Sequence, residues 1–136
     1  MILVKRILIL EDNLTVLSKI LDRLATLEQN QPFELSLVVL TDFEQVENYV
    51  NKNPKAEFDI ILLDRDCKRN GSFHVLDIER FGTEKAIAIS SVPRFNKQLQ
   101  DRGVKMVVEK DLLHTDEFVD EVVAVIEKML QKMSWT

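Results

Sequence analysis

The sequence predicts an α/β fold in which helices cover both faces of a five-stranded parallel sheet. Apolar runs of strand length without polar alternation are typical of strands buried on both faces. Between these runs, apolar residues recur at the three-to-four-residue spacing of amphipathic helices. Because five strands alternate with five helices, the pattern favours right-handed crossovers and a doubly wound sheet.

The predicted strands are short, uninterrupted apolar segments. They are Ile7–Leu10, Leu35–Leu40, Phe58–Leu63, Ala86–Ile89 and Val104–Val108.

The predicted helices follow from apolar spacing and from capping residues at their ends. Asn13 is placed to cap the first helix, Pro54 closes the second, and Thr115 is a suitable cap for the last. The spacing predicts helices over residues 14–24, 43–50, 73–81, 94–102 and 118–133.

Length and composition indicate one domain over residues 1–136, with no separate effector domain. Hydrophobic residues make up 46% of the chain, which is enough for a core. A net charge of −5, with scattered lysines and arginines, disfavours direct nucleic-acid binding. No apolar stretch approaches a membrane span, and a single cysteine fits a reducing compartment. We therefore expect a cytoplasmic protein that does not associate with membranes.

Acidic residues follow two strands that the fold places side by side. In a flavodoxin-like sheet of strand order 2-1-3-4-5, ligands bind beyond the carboxyl ends of strands one and three. Glu11 and Asp12 follow the first strand, and Asp64 and Asp66 follow the third. Carboxylates this close are costly unless a cation neutralises them, and Mg²⁺ prefers oxygen ligands of this kind.

Two further polar residues are expected at the same edge of the sheet. Ser90 ends the fourth strand and Lys110 follows the fifth. A carboxylate can attack phosphorus and form an acyl phosphate, while a metal and a lysine neutralise charge on the phosphoryl oxygens. The constellation therefore indicates phosphoryl-transfer chemistry, with Asp64 as the acceptor.

Five segments resemble response-regulator receiver domains along essentially the whole chain. Ile7–Asn13 resembles their first strand and acid pair, and Phe58–Asp64 resembles the strand that delivers their phosphoacceptor. Gly71 stands near the glycine expected next. Ala86–Ser91 and Gly103–Lys110 resemble the strands that end in the family's Ser or Thr and in its Lys.

The resemblance implies a role for each residue of the site. Glu11, Asp12 and Asp64 would hold Mg²⁺ together with the backbone carbonyl of Asp66. Asp64 would accept a phosphoryl group from a sensor histidine kinase or a histidine phosphotransfer protein, and Ser90 and Lys110 would sense it. The output would pass to a downstream protein partner or through a homodimer. The domain would not be a metabolic enzyme, although it would promote its own phosphorylation and dephosphorylation.

The sequence departs from the family at two positions of the switching machinery. Asp111 replaces the proline that usually follows the lysine, and Val107 stands where an aromatic switch residue is expected. One alternative is therefore a degenerate receiver that binds proteins without being phosphorylated. Another is a haloacid-dehalogenase-like phosphatase, in which Asp64 and Asp66 would form a DxD motif. Such enzymes normally carry that motif on the first strand, whereas here it follows the third.

Overall fold

The parallel sheet is confirmed in the computed structural model, which describes residues 3–133. Residues 1–2 and 134–136, among them Trp135, lie outside the described part of the predicted domain. All five strands are parallel, and their spatial order is β2-β1-β3-β4-β5, as predicted. They are β1 (Leu3–Leu10), β2 (Phe33–Leu40), β3 (Ile60–Leu63), β4 (Ala86–Ala88) and β5 (Met106–Val107).

Helices cover the sheet on both faces. The helices are α1 (Leu14–Gln29), α2 (Phe43–Val46, continued by the π-helical turn Glu47–Asn51), α3 (Ile78–Phe81), α4 (Pro93–Asp101) and α5 (Thr115–Lys132). Alternate residues of the central strands point into two separate apolar cores. One core contains α1 and α5, and the other contains residues of α2, α3 and α4. This two-sided covering is the doubly wound arrangement. No helix within residues 3–133 has the length and apolar character needed to cross a lipid bilayer.

The predicted cap of α1 is confirmed. The Asn13 side-chain oxygen accepts a hydrogen bond from the backbone N–H of Val16 at 3.1 Å, which satisfies one of the free donors of the first turn. This bond begins the helix immediately after Glu11 and Asp12, so the acid pair is held in a short, fixed turn.

The prediction of one helix over Phe73–Phe81 is wrong. A 3₁₀ turn (Phe73–Val75) and the short helix α3 replace it, with Leu76 extended between them. The side chain of Asn51 explains the break. Its amide donates to the Val75 carbonyl at 2.9 Å and accepts from the Asp77 N–H at 2.9 Å, so it takes two backbone groups that a continuous helix would use.

The predicted cap of α5 is also wrong. Thr115 is the first residue of the helix, its hydroxyl donates to the Leu112 carbonyl at 3.3 Å, and the capping position belongs to His114. The side chain of Asp111 orders the preceding loop instead. It accepts from the Leu113 N–H at 3.0 Å and pairs with His114 Nδ1 at 2.9 Å.

A small antiparallel hairpin, absent from the sequence-based expectations, follows β3. It pairs Asp66–Cys67 with Gly71–Ser72. Lys68, Arg69 and Asn70 connect the two strands, and Arg69 and Asn70 have positive φ angles of 67° and 56°, in the left-handed region that tight turns use. A Cβ atom at Gly71 would collide with the ring of Phe43, so the hairpin packs tightly against the start of α2.

Candidate functional site

Three carboxylates converge where β1 and β3 end. The strands are adjacent, and the Asp64 N–H donates to the Leu10 carbonyl at 3.2 Å. Glu11 and Asp64 are buried, with 0% and 6% of their surface exposed, and Asp12 is half-buried. One carboxylate oxygen from each of the three lies within 4.8 Å of the others. The structure therefore brings together three of the acids predicted at this edge, namely Glu11, Asp12 and Asp64.

Lys110 enters this cluster from the end of β5. Its Nζ lies 2.7 Å from Asp64 Oδ2 and 2.5 Å from Glu11 Oε1, and its side chain is buried. The other oxygens of the two acids accept backbone hydrogen bonds. Asp64 Oδ1 accepts from the Arg65 N–H at 2.7 Å, and Glu11 Oε2 accepts from the Asn13 N–H at 3.0 Å. Three of the four carboxylate oxygens therefore accept hydrogen bonds, whereas Glu11 Oε1 is buried beside the ammonium without one.

Burial and the mutual charges of these groups shift their pKa values. Burial, together with the charge of Asp64, raises the pKa of Glu11 to about 7, although Lys110 works against this rise. Burial also raises the pKa of Asp64. For Lys110, burial opposes the charge, but the two carboxylates outweigh it and raise the pKa of the ammonium. One lysine therefore does not compensate the acids fully.

The donor set fits a hard divalent cation. All three ligand groups are carboxylates, and three negative charges against one lysine leave room for two positive charges. Such an ion would lower the pKa values that burial has raised, because it stabilises the ionised forms. The cluster can therefore bind a divalent metal at the carboxyl edge of the sheet.

Ser90 is held at the same edge by a residue that the sequence analysis missed. Asn96 is buried in the first turns of α4, where its Oδ1 accepts from the Ser90 N–H and its Nδ2 donates to the Ser90 carbonyl, both at 2.9 Å. That carbonyl also accepts from the Lys110 N–H at 3.2 Å. The Ser90 hydroxyl accepts from the Val92 N–H at 3.1 Å, which leaves its own hydrogen to donate. The sequence signal for Asn96 was its polar side chain at a position on the buried side of a predicted helix.

Asp66 differs from the other acids. Its side chain is 62% exposed and pairs with Arg65 at 2.7 Å. Within the described residues it does not belong to the carboxylate cluster. The metal-ligand role of its backbone carbonyl, which the resemblance implies, is thus still a prediction.

The sequence matches no protein-family model and no curated protein. Among solved structures, the chain is similar to the phosphorylated cyanobacterial phytochrome response regulator RcpA, with 21% identity, a TM-score of 0.75 and 96% of each chain covered. It is similar to the Mn²⁺-bound response regulator Rcp1, with 14% identity and a TM-score of 0.74 over 96% of this chain and 97% of that one. The HemR receiver domain of Leptospira biflexa is 15% identical, with a TM-score of 0.68 over 97% and 98% of the two chains. The chain therefore has the fold of response-regulator receiver domains.

Proposed function

We propose that this chain is a phosphoaccepting receiver of a two-component phosphorelay, in which Asp64 takes a phosphoryl group from a sensor histidine kinase or a histidine phosphotransfer protein. The observation that carries the proposal is the position of the Asp64 carboxylate. It is buried at a strand end between an ammonium and two further acids, within the fold of receiver domains. In this role the chain is a signalling domain and not a metabolic enzyme.

The proposed chemistry is a phosphoryl transfer to a carboxylate. An Asp64 oxygen forms the new O–P bond while the P–N bond of phosphohistidine, or the P–O bond of acetyl phosphate, breaks. The electron pair of the broken bond leaves with the imidazole or the acetate. Lys110 neutralises charge on the phosphoryl oxygens, and the Ser90 hydroxyl donates to one of them. Asn96 contributes by fixing the backbone of Ser90 on both sides.

Mg²⁺ is the proposed cofactor. Glu11, Asp12 and Asp64 would hold it, with the Asp66 carbonyl as a further ligand. When bound, the ion supplies positive charge that offsets the charge on the transferring phosphoryl group. The structure of Rcp1 with Mn²⁺ agrees with divalent-metal binding in this fold.

A protein phosphodonor is supported by exposed leucines beside the site. Leu14 lies two residues after Asp12, and its surface is 61% exposed. Leu112 and Leu113, which follow Lys110, are 56% and 90% exposed. Contiguous apolar surface is typical of faces that another protein covers, and we propose that these three leucines contribute to such a face. The net charge of −5 is unfavourable for nucleic acid, so we propose that the output also passes to a protein, either a downstream partner or a second copy, in the cytoplasm.

The proposal is tested by incubating the protein with acetyl phosphate and Mg²⁺ and measuring its intact mass. We expect one phosphate adduct that requires the metal and is absent in Asp64→Asn. Asp66→Asn is the matched control, because it removes an exposed carboxylate two residues away. We expect it to keep the adduct.

The alternatives give different results in the same experiment. A degenerate receiver acquires no adduct although it is folded, and this result would overturn the proposal. A haloacid-dehalogenase-like phosphatase hydrolyses phosphate esters with turnover and needs Asp66 as its acid/base. Hydrolysis of a phosphate ester by the wild type that is lost in Asp66→Asn would therefore favour the enzyme.

A further inference from the structure

Arg65, the residue directly after the proposed phosphoacceptor, connects Asp64 to α4. Its backbone N–H donates to Asp64 Oδ1 at 2.7 Å. Its guanidinium carbon lies 4.5 Å from the centre of the Phe95 ring, in the first turn of α4. The same guanidinium pairs with Asp66 at 2.7 Å, and the Arg65 side chain is 37% exposed. A single residue therefore links the acid cluster with a helix at the edge of the site.

A movement of the Phe95 ring would be passed to Ser90 through the neighbouring residue in α4. Phe95 directly precedes Asn96, which holds Ser90 by two hydrogen bonds. A second arginine, Arg94, also lies over the ring, with its guanidinium carbon 5.0 Å from the ring centre. Arg94 belongs to α4 itself, whereas Arg65 approaches the ring from the segment that follows β3, next to Asp64. Of these two arginines, Arg65 is the one that directly adjoins Asp64.

We propose that Arg65 is a phosphoryl-binding residue that rests on Phe95 while Asp64 is unmodified. This inference rests on the proposed function. A phosphoryl group on Asp64 adds a charge of about −1.5 to −2 one residue from Arg65. Arginine binds phosphoryl oxygens through charge-assisted and often bidentate hydrogen bonds. These bonds are stronger than a cation–π contact at a partly exposed site. Phosphorylation therefore moves the guanidinium from the ring to the phosphoryl oxygens and uncovers one face of Phe95.

Asp66 does not prevent this exchange. Its carboxylate is 62% exposed, and an ion pair at such a position is weak because water competes with it. The buried dianion on Asp64 is the stronger attraction for the same guanidinium. The exchange also gives α4 a signal that does not pass through Val107, the position where receivers usually carry an aromatic residue.

The test compares Arg65→Gln with the matched control Arg94→Gln by NMR. Both variants remove one guanidinium from the same ring, but only Arg65 adjoins the phosphoacceptor. The ring signals of Phe95 and the amide signals of α4 are recorded before and after phosphorylation with acetyl phosphate and Mg²⁺, and intact mass confirms the adduct in every sample.

In the wild type and in Arg94→Gln, we expect phosphorylation to shift the Phe95 ring signals. In Arg65→Gln, the ring signals differ from wild type before phosphorylation, and the further shift is lost. Arg65→Lys keeps the charge without the planar fork, so we expect it to restore only part of the shift. A merely structural role for Arg65 would not make the phosphorylation-dependent shift disappear.

The two proposals fail in distinguishable ways. If the adduct forms in Arg65→Gln and the Phe95 signals shift as in wild type, this inference is wrong and the proposed function stands. If the folded wild-type protein acquires no adduct, the proposed function is wrong, and this inference is wrong with it.

Discussion

Two cations at opposite ends of the sheet are held in contrasting ways. Arg80 lies near the amino ends of the strands and donates to the carbonyls of four residues between 2.6 and 3.3 Å, while its guanidinium stacks on Phe81 at 4.5 Å. The carbonyls belong to Val50, Asn51, Asn53 and Ala56. Lys110, at the carboxyl ends, faces the carboxylates of Glu11 and Asp64.

The partners of these cations show what each end of the sheet does. The hydrogen-bond partners that the described residues offer Arg80 are neutral carbonyls, so this cation stabilises the amino end by holding loop backbone in place. Burial and the neighbouring carboxylates raise the pKa values of Glu11 and Asp64, and Lys110 opposes this rise without cancelling it. A buried cluster of this kind costs stability and is retained where it serves chemistry. We therefore interpret the amino end as structural and the carboxyl end as the location of the proposed function.

The largest effect is expected from Lys110→Ala. Removal of the ammonium leaves two buried carboxylates facing each other, and breaking a buried ion pair in this way costs about 3–5 kcal/mol. Urea unfolding at pH 7.5 without metal measures this loss. Lys97→Ala is the control, because its ion pair with Asp101 is exposed and is worth at most about 1 kcal/mol. Equal losses in the two variants would contradict the special role given to the buried cluster.

A smaller loss is expected at the amino end from Arg80→Ala. Water can reach some of the freed carbonyls, so we expect the free energy of unfolding to fall by about 1–3 kcal/mol. Arg80→Lys should recover less than half of it, because an ammonium does not have the planar fork that spans four carbonyls. Phosphorylation of Asp64 should be unchanged in both variants. A loss of the phosphate adduct in a folded Arg80 variant would contradict the purely structural role of this residue.

Metal affinity should depend on pH through Glu11. The pKa of Glu11 is raised to about 7, so the ligand takes up a proton as the pH falls through that value. Below it, Mg²⁺ affinity should weaken by up to about tenfold per pH unit, because binding must displace the proton. Calorimetric titrations from pH 6 to 8, in buffers of different ionisation enthalpy, measure both the affinity and the released proton. Glu11→Gln should bind more weakly and with a shallower pH dependence, since the raised pKa of Asp64 remains, and a wild-type affinity that does not vary over this range would contradict the assignment.

The smallest effect concerns the exposed pair of Asp111 and His114. The hydrogen bond to Asp111 raises the pKa of His114 above its ordinary value of 6.5. The pair therefore stabilises the fold fully below pH 6.5, and this contribution disappears as the pH rises through the pKa of the folded state. An NMR titration should place the His114 midpoint above 6.5 in wild type and near 6.5 in Asp111→Asn. Identical midpoints would show that the carboxylate does not hold the imidazole.

The sequence was most informative where one physical pattern dominated. Uninterrupted apolar runs predicted every strand of the sheet, and the order of strands then brought Glu11, Asp64 and Lys110 together. It was least informative where a distant side chain decided the local structure. Asn51 divides the predicted third helix by bonding backbone groups 24 and 26 residues away, and no local pattern indicates such a bond. Asn96 was missed although its polar side chain on the buried side of a helix was a signal, because its partner, the backbone of Ser90, lies outside that helix.

Locating the phosphoryl group within the chain is the most direct test of whether Asp64 is the phosphoacceptor. Borohydride reduces an acyl phosphate and converts the acceptor aspartate to homoserine, and peptide mass spectrometry then identifies its position. After treatment with acetyl phosphate and Mg²⁺, we expect homoserine at position 64 and nowhere else. Homoserine at position 12 or 66, or a phosphate ester on Ser90 that borohydride leaves intact, would contradict the account.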